Sequence, residues 1–399
     1  MREYLYFQPE YVGKFKCDGA RCINSCCVRQ WNVIVDEATY EKYSRIKPAD
    51  KAREIMSHIQ YADEREFYFI AGKPCPFLNE KKLCRIQLTY GENFLPAVCM
   101  TYPRQIYNFK KFFEQSMTLT CSVAAEMILF PREPVKFELL RVLRDDDAET
   151  ACAEFQIPEK FLPHVIEIQA AMISILQERT LSIDGRLVVL GFFLDKLDEI
   201  SANELDEDAL TKLIAAYESK KFLTEQVPRM LAYVSFDAKK FVGLVLKILE
   251  TLYGGAETKY LRAVSDTLQI VPDDKGRVSL AKVAADYERL ADARKRFRAQ
   301  YATFLENYLV NEIFLNCYPW RFTETVTINY GMFVTTYKIF ELILFAATQA
   351  GAVGKDDLLR LVDWYTVQTN HDGKFYQKIS RQVRSAGDIF SLTETLLEQ

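Results

Sequence analysis

The chain has 399 residues, 49% of them hydrophobic and 27% charged, with a formal net charge of −4. Such a composition has enough apolar surface for one large domain or two ordinary ones and excludes bulk disorder. The mildly acidic balance argues against a dedicated nucleic-acid binder.

The opening residues MREYLYFQPEYVGKF carry no apolar core and no small-residue cleavage site, so they do not read as a secretory signal. The longest apolar run, Ile339 to Val353, is short and contains Glu341 and Gln349. It reads as a buried helix, not a membrane span. A cytoplasmic chain is expected, with peripheral membrane association and oligomerisation left open.

Next comes KFKCDGARCINSCC, from Lys14 to Cys27. The ten cysteines are Cys17, Cys22, Cys26, Cys27, Cys75, Cys84, Cys99, Cys121, Cys152 and Cys317, eight of them before residue 122. Charge divides at the same place, with +4 over residues 1–121 and −8 over the rest. In a reducing compartment a dense cysteine pattern reads as metal-binding or catalytic before it reads as disulfides. The spacing is C-x4-C-x3-C-C, then Cys75-x8-Cys84, Cys99 and Cys121. Thiolates are soft ligands suited to iron–sulfur centres or zinc. The one histidine in this region, His58, lies away from the cysteines, which favours an all-sulfur ligand set. Buried unligated cysteines and disulfides remain the other readings. Adjacent side chains usually diverge, so Cys26 and Cys27 are not both expected on one metal ion.

Trp31 to Val35 alternates as a short strand, and Asp36 starts a helix with Tyr40, Tyr43 and Ile46 on one face. Glu66 to Ile70 reads as a second strand, and Ile106 to Phe109 with Phe113 to Leu119 as a hairpin around Lys110-Lys111. From about Lys136 the pattern turns helical. Apolar residues recur at three-and-four spacing in Phe161–Leu176, Leu187–Leu197, Phe241–Leu252, Leu280–Leu309, Phe333–Phe345 and Leu358–Val367. Gly185, Gly254-Gly255, Pro272 to Gly276, Pro319 and Gly351 to Gly354 punctuate them. The expected fold is mainly α, with a small mixed α+β cysteine-rich N-terminal module (1–130) packed on an all-helical body (131–399) of about ten helices.

Three segments, KFKCDGARCINSCCVRQWNVIVDEATYEKY, CPFLNEKKLCRIQLTYGENFLPAVCMTYPR and MTLTCSVAAEMILF, resemble the flagellin lysine-N-methylase (FliB-like) family, related to CxxCxxCC-type cysteine-cluster proteins. LENYLVNEIFLNCYPWRF continues the resemblance in the helical part. The resemblance implies S-adenosylmethionine-dependent methylation of flagellin lysines and a [4Fe–4S] cluster, with zinc as the alternative. Its implied ligand pool is Cys17, Cys22, Cys26, Cys27, Cys75, Cys84, Cys99 and Cys121. The opening motif here is looser than C-x2-C-x2-CC.

Methyl transfer from a sulfonium to an amine is a polar displacement that needs alignment, desolvation and loss of a proton. The radical signature C-x3-C-x2-C fails, because Arg29 follows Cys22 and Cys26 where a third cysteine belongs. No glycine-rich nucleotide loop follows a strand, and the three histidines, His58, His164 and His371, are scattered. Polar residues interrupting an apolar helix supply the catalytic candidates: Glu306 to orient a lysine amine, with Tyr308 or Asn311 to hydrogen-bond it. Arg104 and Tyr102, just past Cys99, are candidates for cofactor binding, Arg104 for its carboxylate. Trp31, Trp320 and Trp364 could stack on an adenine. The rival function is a non-catalytic iron–sulfur or zinc module for protein interaction or redox sensing.

Overall fold

The computed structural model describes residues 2–29, 33–62, 67–72, 74–144, 153–154, 157–252, 258–322, 324–351, 353–370 and 373–398. Trp31, Cys152, His371 and Gly254-Gly255 lie outside them.

The architecture is mainly α, with two small sheets confined to the N-terminal part. Strand β1 (Arg2–Pro9) opens the chain. A three-stranded antiparallel sheet follows, made of β2 (Val33–Val35), β3 (Ile59–Ala62) and β4 (Phe67–Ile70) in the order β2-β4-β3. Asp36 caps the intervening helix Glu37–Ser44 by accepting the Thr39 N–H at 2.9 Å, as its position before the helical pattern predicts. Strands β5 (Arg104–Asn108) and β6 (Phe113–Met117) form the expected hairpin, and Lys110 takes the left-handed turn conformation with φ of 65°.

Four strands were not expected from the sequence: β1, β3, β7 (Phe137–Arg144) and β8 (Ala153–Glu154). β1 lies parallel to β6, and β7 pairs antiparallel with β1 along its whole length, Arg2 opposite Arg144 and Pro9 opposite Phe137. Helical structure was expected from about Lys136, but FELLRVLR has an apolar pattern too dense to separate helix from strand, and its partner residues lie 128 to 142 positions away. With β8 the sheet order is β7-β1-β6-β5-β8. Period-two alternation in β1 serves two packing layers. Tyr4 and Tyr6 meet Phe113 on one face, while Phe7 meets Phe314 on the other at 5.2 Å between ring centroids.

Beyond residue 159 the described residues hold thirteen α-helices, more than the ten expected. The run read from Leu280 to Leu309 is three helices, Leu280–Arg289, Ala291–Gln300 and Ala302–Leu315. Gly185 does not break a helix. It lies in the first turn of Ile183–Ile200, where Ser182 caps its N–H. Val326–Gln349 is long and apolar enough to cross a membrane, but 89% of its most apolar window is buried inside the fold.

One large core joins Phe7, Phe112 and the helix Ser122–Leu129 to the helical body. Among the described residues a second, small core holds eight buried residues, including Val35, Tyr43, Ile55, Ile70 and Phe77. This small lobe spans roughly the segment between the first and last cysteine groups, and Cys75 and Cys84 pack against it.

The large core also encloses charges. Lys338 contacts Asp184 at 3.0 Å and Glu341, and Arg298 contacts Glu341, Asp184 and Glu398. Burial alone would raise the Glu341 carboxyl, but Arg298 and Lys338 outweigh it and hold it at about 2. A carboxyl depressed on folding adds stability above its unfolded value, ~4.3 for Glu, and the gain is lost as pH falls toward the folded value. The urea midpoint is therefore expected to fall steeply from about pH 4.5 downward. Glu341→Gln should flatten that slope, and an unchanged slope would mean the network does not contribute.

Candidate metal centre and adjoining cleft

The cysteines reach one region from separate elements. Cys17, Cys22, Cys26 and Cys27 lie on the turn-rich segment after the helix Glu10–Lys14. Asp18 and Ser25 bend it by accepting the N–H groups of Ala20 and Cys27. Cys75 is tied to this segment by its N–H, which donates to the Cys27 carbonyl at 2.8 Å. Cys84 precedes the helix Arg85–Tyr90, Cys99 sits within Ala97–Thr101, and Cys121 is the N-cap of Ser122–Leu129.

Cys26 and Cys27 do not diverge as adjacent side chains usually do. A 3-10 turn brings their sulfurs to 3.9 Å. The other thiols feel one another electrostatically. Burial pushes the Cys17 thiol up to about 11, and Cys22, Cys27 and Cys84 push the same way. Burial likewise raises Cys22 to about 11, with Cys121 and Cys27 adding to it. The Cys26 thiol is raised by its hydrogen bond to Cys27, then by burial and by Cys99 and Cys17. All eight are free thiols. As the side chains stand, no three Cys, His, Asp or Glu among the described residues form a group able to hold a metal ion. The donor chemistry nevertheless fits a thiophilic metal: only sulfur is offered, it is half-buried, and thiols held protonated here become ligands when a cation displaces their protons.

Beside the thiols lies a cleft of about 640 Å³. One wall comes from the cysteine-rich half, including Val98, Tyr102, Arg104, Tyr107 and Thr120, and the other from the helical body: Asn316, Arg321, Phe322 and Asn370. The halves are locked together around it. Arg29 pairs with Asp363, Asn24 donates to Asp363 at 2.7 Å, and the Tyr11 hydroxyl donates to Asn311 Oδ1 at 2.8 Å.

Both residues expected to bind a cofactor stand on this cleft. Arg104 donates to the Phe15 carbonyl at 2.9 Å with its guanidinium over the Phe15 ring, and the Tyr102 hydroxyl lies 3.1 Å from Thr120 Oγ1. The catalytic candidates fare differently. Glu306 is 1% exposed and its oxygens are taken by Arg179 at 2.7 Å and Arg186 at 2.8 Å, so it is a structural ion pair that leaves no place for a lysine amine. Tyr308 is buried with its ring stacked on Phe340 at 4.1 Å. Asn311 is buried, and its Nδ2 has no partner. Trp320 packs on Phe161 and Trp364 on Tyr260.

Sequence reasoning noted Glu312 as a polar interruption of the apolar helix without giving it a role, and passed over Asn316 and Arg321. Glu312 is one residue beyond a candidate it did pick. The signal available was the Glu312–Asn316 spacing of four in an apolar helix, which the structure realises as a 2.8 Å hydrogen bond from Asn316 Nδ2.

Comparison with known proteins adds the following. The family model of the FliB lysine N-methylase C-terminal domain matches residues 169–397, and a model of a proposed zinc- or iron-chelating domain, CxxCxxCC, matches residues 16–122. The chain is 22% identical over 415 residues to a lysine-N-methylase of Salmonella typhimurium strain LT2, covering 99% of this chain and 100% of that protein. A lysine-N-methylase of Salmonella choleraesuis strain SC-B67 matches to the same extent. The flagellar biosynthetic protein FliU of Salmonella muenchen is 29% identical over 136 residues, 32% of this chain and 79% of that protein. No solved structure matches the chain.

Proposed function

The chain belongs to the FliB lysine N-methylase family, whose members are protein-lysine N-methyltransferases, and from that premise we propose that it methylates lysines of flagellin with S-adenosylmethionine as the donor. The observation that carries the reading is the full-length match to lysine-N-methylases, which spans the cysteine-rich half as well as the helical body. A flagellar substrate is supported by the name of the Salmonella muenchen relative. The working compartment on this reading is the cytoplasm.

The cleft is the proposed meeting place of donor and acceptor. Arg104 offers a guanidinium to the donor's carboxylate, and Tyr102 a hydroxyl beside it. The chain's task is to align the sulfonium methyl with the amine, to exclude water, and to take a proton from the lysine. We further propose that the cysteine pool, Cys17, Cys22, Cys26, Cys27, Cys75, Cys84, Cys99 and Cys121, holds an iron–sulfur centre. Bound there, it would supply a crosslink fastening the small lobe to the wall of the cleft. Zinc is the second reading, favoured by the zinc- or iron-chelating description of the matched domain.

Anaerobically purified protein incubated with methyl-labelled S-adenosylmethionine and purified flagellin should transfer label to lysine. Absence of label from flagellin, with the metal site fully loaded, would favour a non-catalytic metal module. Arg104→Ala should raise the KM for the donor at least tenfold, since a lost charge-assisted hydrogen bond is worth about 1.5–3 kcal/mol. An unchanged KM would remove Arg104 from the donor site.

A further inference from the structure

We propose that the acceptor lysine enters the cleft with its amine turned toward Glu312, and that Glu312 takes the proton released when the amine is methylated. The inference rests on the reading of the chain as a lysine N-methylase.

Charge accounting points to Glu312. Six carboxylates are buried among the described residues: Glu114, Asp184, Glu306, Glu312, Glu341 and Asp363. Asp184, Glu306, Glu341 and Asp363 each lie in an ion pair. Glu114 and Glu312 have no salt bridge among the described residues; Glu114 lies on β6 and Glu312 on the Ala302–Leu315 helix that packs against it. An unpaired buried charge is costly, so a fold that pairs four and leaves two has a use for the exceptions or keeps them neutral. Glu114 is fully buried and held well above the carboxylate range by burial, consistent with a permanently neutral acid. Glu312 is 6% exposed, and its Asn316 partner lines the cleft.

Other groups nearby also wait for partners. Arg321 stands on the cleft wall over the Tyr376 ring at 4.3 Å, yet its Nη1 is buried with no hydrogen bond. Asn311 Nδ2 and Trp320 Nε1 are likewise buried and unpartnered. Native folds satisfy nearly all such atoms, so an unsatisfied guanidinium nitrogen on a residue of the cleft wall leaves a donor for a polar occupant.

An alkylamine fits this arrangement. The aromatic faces of Phe322 and Tyr376 near the wall suit a lysine's methylene stem. A carboxylate attracts the ammonium into the site. The fixed Arg321 cation then disfavours the charged amine and favours the neutral one, the state that can attack. The step balances as follows. The ammonium gives one proton to the Glu312 carboxylate, the lone pair so freed forms the new N–C bond, the S–CH3 bond breaks with its electron pair returning to sulfur as a neutral thioether, the product leaves as methylammonium, and Glu312 passes its proton to solvent. Asn316, donating to Glu312 Oε2, is a positioning residue.

The titration of Glu312 agrees with this role. Burial pushes it up to about 7 against the pull of Arg321 and the Asn316 hydrogen bond. The titratable groups around it are Arg321 and the tyrosines 107, 308, 318, 365 and 376. A base must be ionised to accept a proton, so kcat should rise with pH through about 7.

The test uses the full-length chain loaded with its metal and the probe Nα-acetyl-lysine amide, followed by titration calorimetry. Glu312→Gln should weaken probe binding at least tenfold while leaving donor binding unchanged and without appreciably lowering the melting temperature. Methyl transfer to a lysine peptide should fall by roughly 10²–10⁴-fold, and the limb near pH 7 should vanish. Arg321→Gln is the second variant. Without that cation Glu312 titrates higher, so the limb should move to higher pH. Probe binding or turnover unaltered in Glu312→Gln, or a limb that stays in place in Arg321→Gln, overturns the assignment. Glu312-dependent probe binding without any methyl transfer by the wild-type chain would sink the methylase reading and leave an amine site. Methyl transfer that survives Glu312→Gln would do the opposite.

Discussion

Replacing Glu306 by glutamine is expected to destabilise the protein by about 3–5 kcal/mol, the cost of removing one partner from a buried ion pair. Arg186 is almost fully enclosed and holds Glu306 Oε2 at 2.8 Å, and Arg179 grips the same carboxylate with both Nε and Nη2. Glutamine keeps the shape but not the charge, so two guanidiniums remain with only a neutral acceptor between them. The comparison that makes this sharp lies on the same helix. Glu312, six residues on, has no ion pair to lose, so Glu312→Gln should cost little or even stabilise. Denaturant midpoints of the two variants should move apart, with Glu306→Gln far lower. A Glu306→Gln protein of wild-type stability but lost activity would return Glu306 to the chemistry that its place in the sequence suggests.

The contrast also shows what the sequence could and could not convey. Both carboxylates interrupt the same apolar run, and nothing local separates a glutamate spent on arginines from one bonded to an asparagine that lines the cleft. The difference is made by Arg179, Arg186 and Arg321, which reach the helix from other parts of the chain. The cysteine framework was legible because ligand chemistry is carried by residue type, and Asp36 and the β5–β6 hairpin because caps and turns are local. The β1–β7 pairing was not, since its paired residues lie 128 to 142 positions apart and no local turn links them. Arg104 and Tyr102 were singled out by their place just after Cys99 and stand on the cleft, while two residues of its opposite wall, Asn316 and Asn370, carried no signal at all.

The second large effect is expected from the metal. Cys26→Ser or Cys27→Ser should empty the site and unfold the small lobe, while most of the helical signal survives. The reasoning starts from size. The lobe's own core has eight buried residues, too few for a unit of that length to be secure without a crosslink. Cys75 and Cys84 pack on that core, and Cys75 is bonded through its backbone to Cys27, so a centre ligated from both segments would fasten the lobe where it is weakest. Without a cation the same thiols are a burden, since burial and mutual proximity hold them protonated. Metal binding releases those protons, so retention of the metal should weaken as pH falls, and binding free energy becomes folding free energy. Anaerobic protein should be analysed for iron, sulfide and zinc before and after substitution. About four irons and four sulfides per chain identify a cubane cluster, and one or two zincs without sulfide identify a structural zinc site. Proteolysis then locates the damage: cleavage confined to residues between Cys27 and Cys99 in the serine variants fits a lobe held by the metal. Unchanged metal content together with unchanged protease resistance would remove Cys26 and Cys27 from the ligand set. The consequence for catalysis is specific as well. The helix Ala97–Thr101, which carries Cys99, also supplies Ala97 and Val98 to the cleft wall, so losing the centre should abolish donor binding before it disturbs the Glu312 side.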